Sequence, residues 1–321
     1  MVHADERPAP LELASAGLSP LPDEPLVSII VPVFNGRAYL KEALESATSQ
    51  TYARTEVILI DDGSRDGSAE LGERHPGVRV ERLPRNVGVA RARNVGVSKS
   101  GGSCLLFLDQ DDVLVPRAVE HGVSALRARP ECGYVFGRHD RILADGSVRE
   151  AGVPQVADPS FRGQLSGHTL CPPSRSLFRR EAVERVGGFD PALNPADDYA
   201  LHLALARCFP VATHDAVVVQ YRRHGANVTS LHVRRTLSAI LRALDAQRPY
   251  LTTPELRAAY RDGQAHWRRL LGPRLRNELV ARLRAGAYRE AGAALAAMAR
   301  HHPAGLATLL RRRGPAPAAS G

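Results

Sequence analysis

Through the first 130 residues, short and mainly apolar runs alternate with segments whose apolar positions recur every three to four residues. The runs are Leu26–Val33, Glu56–Ile60, Val78–Leu83 and Cys104–Leu108. Between them, Arg37–Gln50 places Ala38, Leu40, Ala43, Leu44 and Ala47 on one helical face. A short helix capped by Ser64 or Asp66 follows the second run, and Asn86–Ser100 and Pro116–Arg129 follow the third and fourth. Runs without polar alternation are strands buried on both faces, so strands alternating with helices predict an α/β fold with a parallel sheet covered on both sides.

The alternation weakens after residue 130. Tyr134–Phe136 and Ser147–Arg149 read as a hairpin with Asp145-Gly146 in its turn, and Ser174–Phe178 as a short strand. Glu181–Val186 reads as a helix closed by Gly187-Gly188. A helix opens at Pro195-Ala-Asp197-Asp198 and runs through Cys208, and Val211–Tyr221 holds a last strand. From Leu231 the pattern is helical and rich in Ala, Leu and Arg, ending in a frayed tail. The domains read as a loose leader over 1–25, a main body over 26–230 divided at 129/130, a basic helical extension over 231–313 and a disordered tail over 314–321.

Polar residues gather where the strands end. Asn35, Asp61, Asp62, Asp109 and Asp111 all fall at carboxyl ends of predicted parallel strands, where α/β sheets form their ligand crevice. The run Phe107-Leu-Asp-Gln-Asp-Asp112 puts three carboxylates in four positions. Such charges repel unless a cation lies among them. Asp109 and Asp111 alternate on an extended segment and can point the same way, and Mg²⁺ or Mn²⁺ prefers such oxygen ligands. A solvated acidic turn ahead of the Pro116 helix fits the same three residues.

Composition and charge narrow the field. The chain has 321 residues, 44% of them hydrophobic, and no apolar run nears the roughly 20 residues of a membrane span. The first ten residues lack the order of a signal peptide. Cys104, Cys132, Cys171 and Cys208 are too scattered for a zinc site, and a reduced cytoplasmic setting is the simplest reading. From Leu231 onward 17 Arg face 5 acidic residues, a net of +12 against a total of +9, so the body before it carries about −3. The basic character is local, and no nucleic-acid-binding signature accompanies it. Basic amphipathic helices suit the anionic inner face of a membrane; helices packed on the body with a solvated basic face are the plainer alternative.

The order VSIIVPVFN, VILIDDGSRDGS, RNVGVARARNVGV, FLDQDD and GGFD followed by ADDYALHLALA resembles a family 2 glycosyltransferase, over about residues 26–224. The resemblance implies a GT-A fold and transfer of a sugar, with inversion, from a nucleotide diphosphate to an acceptor hydroxyl, using Mg²⁺ or Mn²⁺. It implies that Pro32 and Asn35 border the nucleotide and that Asp61 and Asp62 bind it, Asp62 at the base. Arg93 would neutralise phosphate or position an acidic partner. Asp111 would be the direct metal ligand, with Asp109 toward the ribose or metal waters and His224 completing the shell or holding a phosphate. Asp198 matches the general base, with Asp197 standing where a Glu is commoner. A wall beneath the acceptor sugar, or a simple helix cap, fits Gly187-Gly188-Phe189. The implied partners are a nucleotide-diphosphate sugar, UDP-sugars favoured, and a glycan or lipid-linked acceptor of the cell surface. A sugar nucleotidyltransferase would want a Gly-rich, basic triphosphate loop that VPVFNGRAYL does not supply. An inactive, sugar-nucleotide-binding homologue would not need Asp62, Asp111 and Asp198 together.

Overall fold

A computed structural model describes residues 17–153, 158–167, 172–225 and 232–306. Nine strands form one sheet: β1 (Val27–Val33), β2 (Thr55–Asp61), β3 (Val78–Arg82), β4 (Cys104–Phe107), β5 (Val113–Leu114), β6 (Tyr134–Leu143), β7 (Val148–Val153), β8 (Ser176–Arg179) and β9 (Val211–Arg223). The order is β3-β2-β1-β4-β8-β6-β9-β5, with β7 paired to β6. β3, β2, β1 and β4 are mutually parallel, as is the β6–β9 pair. The antiparallel pairings involve β8, β7 and β5.

The helices are α1 (Arg37–Thr48), α2 (Ser68–Glu73), α3 (Val89–Lys99), α4 (Ala118–Ala128), α5 (Phe161–Leu165), α6 (Arg180–Arg185), α7 (Asp197–Cys208), α8 (Val233–Asp245), α9 (Pro254–Arg284) and α10 (Tyr288–His301). β1 is buried at every position, as its unbroken apolar run requires. Its period of two splits it: Val27, Ile29, Val31 and Val33 face the layer shared with α1 and α4, and Ile30 faces the layer shared with α3 and α7. α3 lies so close to the sheet that a Cβ on Gly96 would fall 2.3 Å from Ile30 Cγ2.

The structure adds detail at two of the boundaries. Residues 17–25 are not all loose. Ser19 N donates to Glu181 Oε2 at 2.8 Å, and the Arg185 guanidinium donates to Gly17 O at 3.1 Å, fastening the segment to α6. The helices after residue 230 pack on the body through a shared core. Leu237, Ile240, Leu244, Trp267, Leu271 and Leu275 share one apolar cluster with Tyr199, Ala200 and Leu203 of α7. The leader's first sixteen residues, Cys171 and the 314–321 tail lie outside the described residues.

Candidate active site

The parallel strands β1, β2 and β4 end on the same side of the sheet, and side-chain contacts there join Arg93 to Asp109 and Asp197, and Asp111 to His224. Pro32 is buried in β1 opposite Ile60. Three residues on, Asn35 takes a left-handed backbone, φ 49°. Its N–H donates to Ser64 Oγ at 2.9 Å, and its Oδ1 accepts from Arg65 N at 2.9 Å, so the loops after β1 and β2 interlock. Ser64 Oγ thus serves Asn35, and the N-cap position of α2 is Gly67, without a side-chain cap; Asp66 Oδ1, one residue earlier, accepts from Ser68 N at 3.0 Å.

Asp61 and Asp62 are both buried. Asp61 Oδ1 accepts from Ser64 N at 3.2 Å. The Asp62 carboxylate accepts from Val87 N at 2.7 Å and Gly88 N at 2.9 Å, holding the loop that leads into α3. Gly88 sits at φ 92°, which side chains rarely tolerate. Each Asp62 oxygen retains a second lone pair for a ligand N–H.

The three clustered carboxylates have three different partners. Asp109 Oδ1 accepts from the Arg93 guanidinium at 2.6 Å. Asp112, fully buried, accepts from Ser174 Oγ and from Arg222 N, each at 3.0 Å. Burial, then the charges of Asp111 and Asp109, push the Asp112 carboxyl well up from its usual range. Asp111 Oδ2 lies 2.8 Å from His224 Nε2. This pairing follows from the two-residue strand β5, whose Val113 sits opposite Gln220 of antiparallel β9 and so brings Asp111 beside residues 222–224. Burial and the neighbouring Asp109 raise the Asp111 carboxyl, and the His224 bond only partly offsets them.

Arg93 is the hub of the edge. Its guanidinium is buried, donating to Asp109 on one side and to Asp197 Oδ2 at 2.8 Å on the other. Burial disfavours its charge, yet Asp109, Asp197 and Asp198 outweigh that cost and push its pKa further up. It lies over the Phe189 ring at 5.2 Å. Phe189 is buried and packs edge-on against Phe107 at 4.7 Å. Asn94 fixes it by two bonds: Nδ2 donates to Phe189 O at 2.8 Å, and Oδ1 accepts from Phe189 N at 3.0 Å. Gly187 and Gly188, φ 86° and 71°, close α6 as expected. The contact between Asn94 and Phe189 escaped the sequence reading because it spans 95 residues.

Asp198 opens α7 beside Asp197, its Oδ1 accepting from Tyr199 N at 2.7 Å. Burial first, and the Asp197 charge second, raise its carboxyl to about 6, while Arg93 pulls the other way.

Among the described residues no three His, Cys, Asp or Glu side chains converge as a ready metal cage. Mg²⁺ seldom uses one; it takes one or two carboxylates and fills its shell with water and substrate phosphates. Asp111, a carboxylate paired with a ring nitrogen, fits such a partial set.

The model of glycosyl transferase family 2 matches residues 28–187. The chain belongs to this family. An uncharacterized glycosyltransferase of Rickettsia felis is 29% identical over 213 residues, covering 62% of this chain and 34% of that protein, so the chain spans about a third of that relative's length. The fold resembles the mannosyltransferase PcManGT of Pyrobaculum calidifontis in complex with GDP-Man and Mn²⁺, with TM-score 0.58, 20% identity, and 95% and 93% of the two chains covered. It also resembles S. aureus TarS 1–349 in complex with UDP-GlcNAc, with TM-score 0.54, 17% identity, and 83% and 89% covered. The architecture is that of the GT-A transferases: a mixed α/β fold around one central sheet, with C-terminal helices added.

Proposed function

We propose that the chain is an inverting, metal-dependent glycosyltransferase that moves a sugar from a nucleotide-diphosphate donor to an acceptor hydroxyl. The observation that carries this reading is the Arg93 bridge. One buried guanidinium joins Asp109, at the end of β4, to Asp197, at the start of α7. A donor-side carboxylate and a base-side carboxylate are thus held at fixed separation, which is the alignment a displacement needs.

The nucleotide would lie across the β1 and β2 ends, bordered by Pro32 and Asn35, with Asp61 and Asp62 at the base. The diphosphate would lie at Asp109, Asp111 and His224. Mg²⁺ or Mn²⁺ held there would supply electrostatic stabilisation of the departing nucleotide diphosphate. Asp198 accepts the proton of the attacking hydroxyl, and its raised basicity suits that task near neutral pH. The Tyr199 N–H orients the Asp198 carboxylate. Asp197 is a positioning residue, tied to Arg93. Attack opposite the leaving diphosphate inverts the anomeric carbon.

UDP-sugars are the favoured donors, since a structural relative of this fold carries UDP-GlcNAc, with GDP-sugars next. The acceptor class is a cell-surface glycan or glycolipid. Release of nucleotide diphosphate from a panel of UDP- and GDP-sugars, with Mn²⁺ and then with EDTA, tests the reading. Metal-dependent turnover of one donor is the expected result. No turnover of any donor, with or without acceptor, would remove it.

A further inference from the structure

We propose that the turn end of the α9–α10 hairpin is a docking face for an anionic lipid surface. The two helices are antiparallel: Gly272 lies beside His302, and Gly286, φ 68°, sits in the reversal between them. Their inner faces are spent on the shared core through Leu271, Leu275, Leu279, Ala291, Ala294 and Met298.

The outer faces are not merely polar. Val280, Leu283, Tyr288 and Leu295 are 36%, 48%, 74% and 43% exposed, whereas large apolar side chains elsewhere in the described body are almost all covered. Arg276, Val280 and Leu283 follow at spacings of four and three, on one face of α9. Tyr288 and Leu295, seven apart, share one face of α10, with Arg289 and Arg300 along its flank. Between Arg268 and Arg300 the chain carries eight Arg against Glu278 and Glu290. Glu278 is already engaged by Arg234 N at 2.8 Å.

Exposed apolar side chains ringed by arginines match what an interfacial helix needs, apolar groups entering the acyl boundary and cations at anionic headgroups. The arginine stems add apolar cover while their heads stay in water. No described helix is long and apolar enough to cross a membrane, so this contact would be peripheral. The face lies sixteen residues from Trp267, which packs on Tyr199 beside Asp198. At ~1.5 Å per residue that is ~24 Å along α9, so the face can be altered without touching the candidate base.

The test uses the whole chain, because removing the helices would uncover the α7 core. Sedimentation is measured with phosphatidylcholine vesicles, alone or with phosphatidylglycerol. Wild type is expected to sediment only with phosphatidylglycerol and to be released by salt. Leu283→Glu/Tyr288→Glu, and separately Arg284→Glu/Arg289→Glu, should each lower the partition coefficient by about tenfold or more. Both should keep the wild-type melting temperature and soluble donor turnover. No sedimentation at low salt, or equal sedimentation of wild type and both variants, would overturn the proposal. So would a wild-type dimer that the same substitutions split while vesicles capture nothing, since the face would then belong to a second copy. Vesicle binding by a chain that turns over no donor would leave docking standing and remove the transferase reading instead.

Discussion

At the residue scale the proposed reading turns on Asp198. A carboxyl raised to about 6 is protonated below that pH and useless as a base there, so transfer should rise with pH through about 6 and level off above it. Asp198→Asn keeps an acceptor for Tyr199 N–H but removes basicity. Transfer should fall at least ~100-fold, with metal and nucleotide binding retained in calorimetry. The same substitution should stabilise the fold. A carboxyl whose pKa is higher folded than unfolded costs stability above the folded value, and the cost vanishes below the unfolded one. Asp198→Asn should therefore melt higher at pH 7–8, by on the order of 1–3 kcal/mol, and match wild type near pH 4. An unchanged melt at pH 8 would mean the carboxylate is not held in a costly environment. Asp111 gives a second residue-scale prediction. With Asp111→Asn, nucleotide diphosphate should bind with nearly equal affinity in Mn²⁺ and in EDTA, whereas wild type should bind markedly tighter with Mn²⁺. Equal wild-type affinity in the two conditions would remove the metal role.

At the element scale, the site depends on how α3 meets the sheet and α7. Gly96→Ala places a methyl against Ile30, and overpacking of this kind costs about 1–3 kcal/mol, readable as a lower melting temperature. Arg93→Met leaves Asp109 and Asp197 without their shared cation. Breaking a buried pair from one side costs about 3–5 kcal/mol, so that variant should unfold far more readily; Arg93→Lys should fold better yet lose turnover, because one ammonium cannot reproduce the two-sided fork. Wild-type turnover in Arg93→Lys would show that the bridge positions nothing. These elements were unequally legible in the sequence. β1, β2 and β4 announce themselves as apolar runs, and their terminal carboxylates are legible for the same reason. β5 has two residues and α5 five, too short to show a period. β6 continues past Phe136 through Arg138, His139, Asp140 and Arg141, and its pairing with β9 overrides that polar stretch. Because β5 was invisible, the register that joins Asp111 to His224 had to come from the resemblance, not from the pattern.

At the scale of the whole molecule, the basic helical extension read from residue 231 onward is present and packs on the body, the plainer of the two alternatives. The charge shift there is real, but charge describes the outer faces of α8, α9 and α10, and periodicity alone cannot say what their inner faces cover. They cover α7: Trp267 meets Tyr199 edge-on at 5.6 Å, and the Tyr199 hydroxyl donates to Gln164 O at 2.7 Å. The helix that presents Asp197 and Asp198 is thus held on one side by the sheet and on the other by the C-terminal helices. Trp267→Ala should cost about 3–5 kcal/mol, the usual penalty for emptying a large aromatic site in a core. Turnover at a temperature where the variant is still folded should also fall, since α7 loses its outer support, while donor binding at the β1–β4 edge should change little. Deleting residues 232–321 is the severe form of the same test. It would bare Tyr199, Ala200 and Leu203 together, and the remaining chain should aggregate or melt without a cooperative transition. If the shortened chain stayed soluble and melted cooperatively at the wild-type temperature, the helices would be an appendage after all, and α7 would have to be held by the sheet alone.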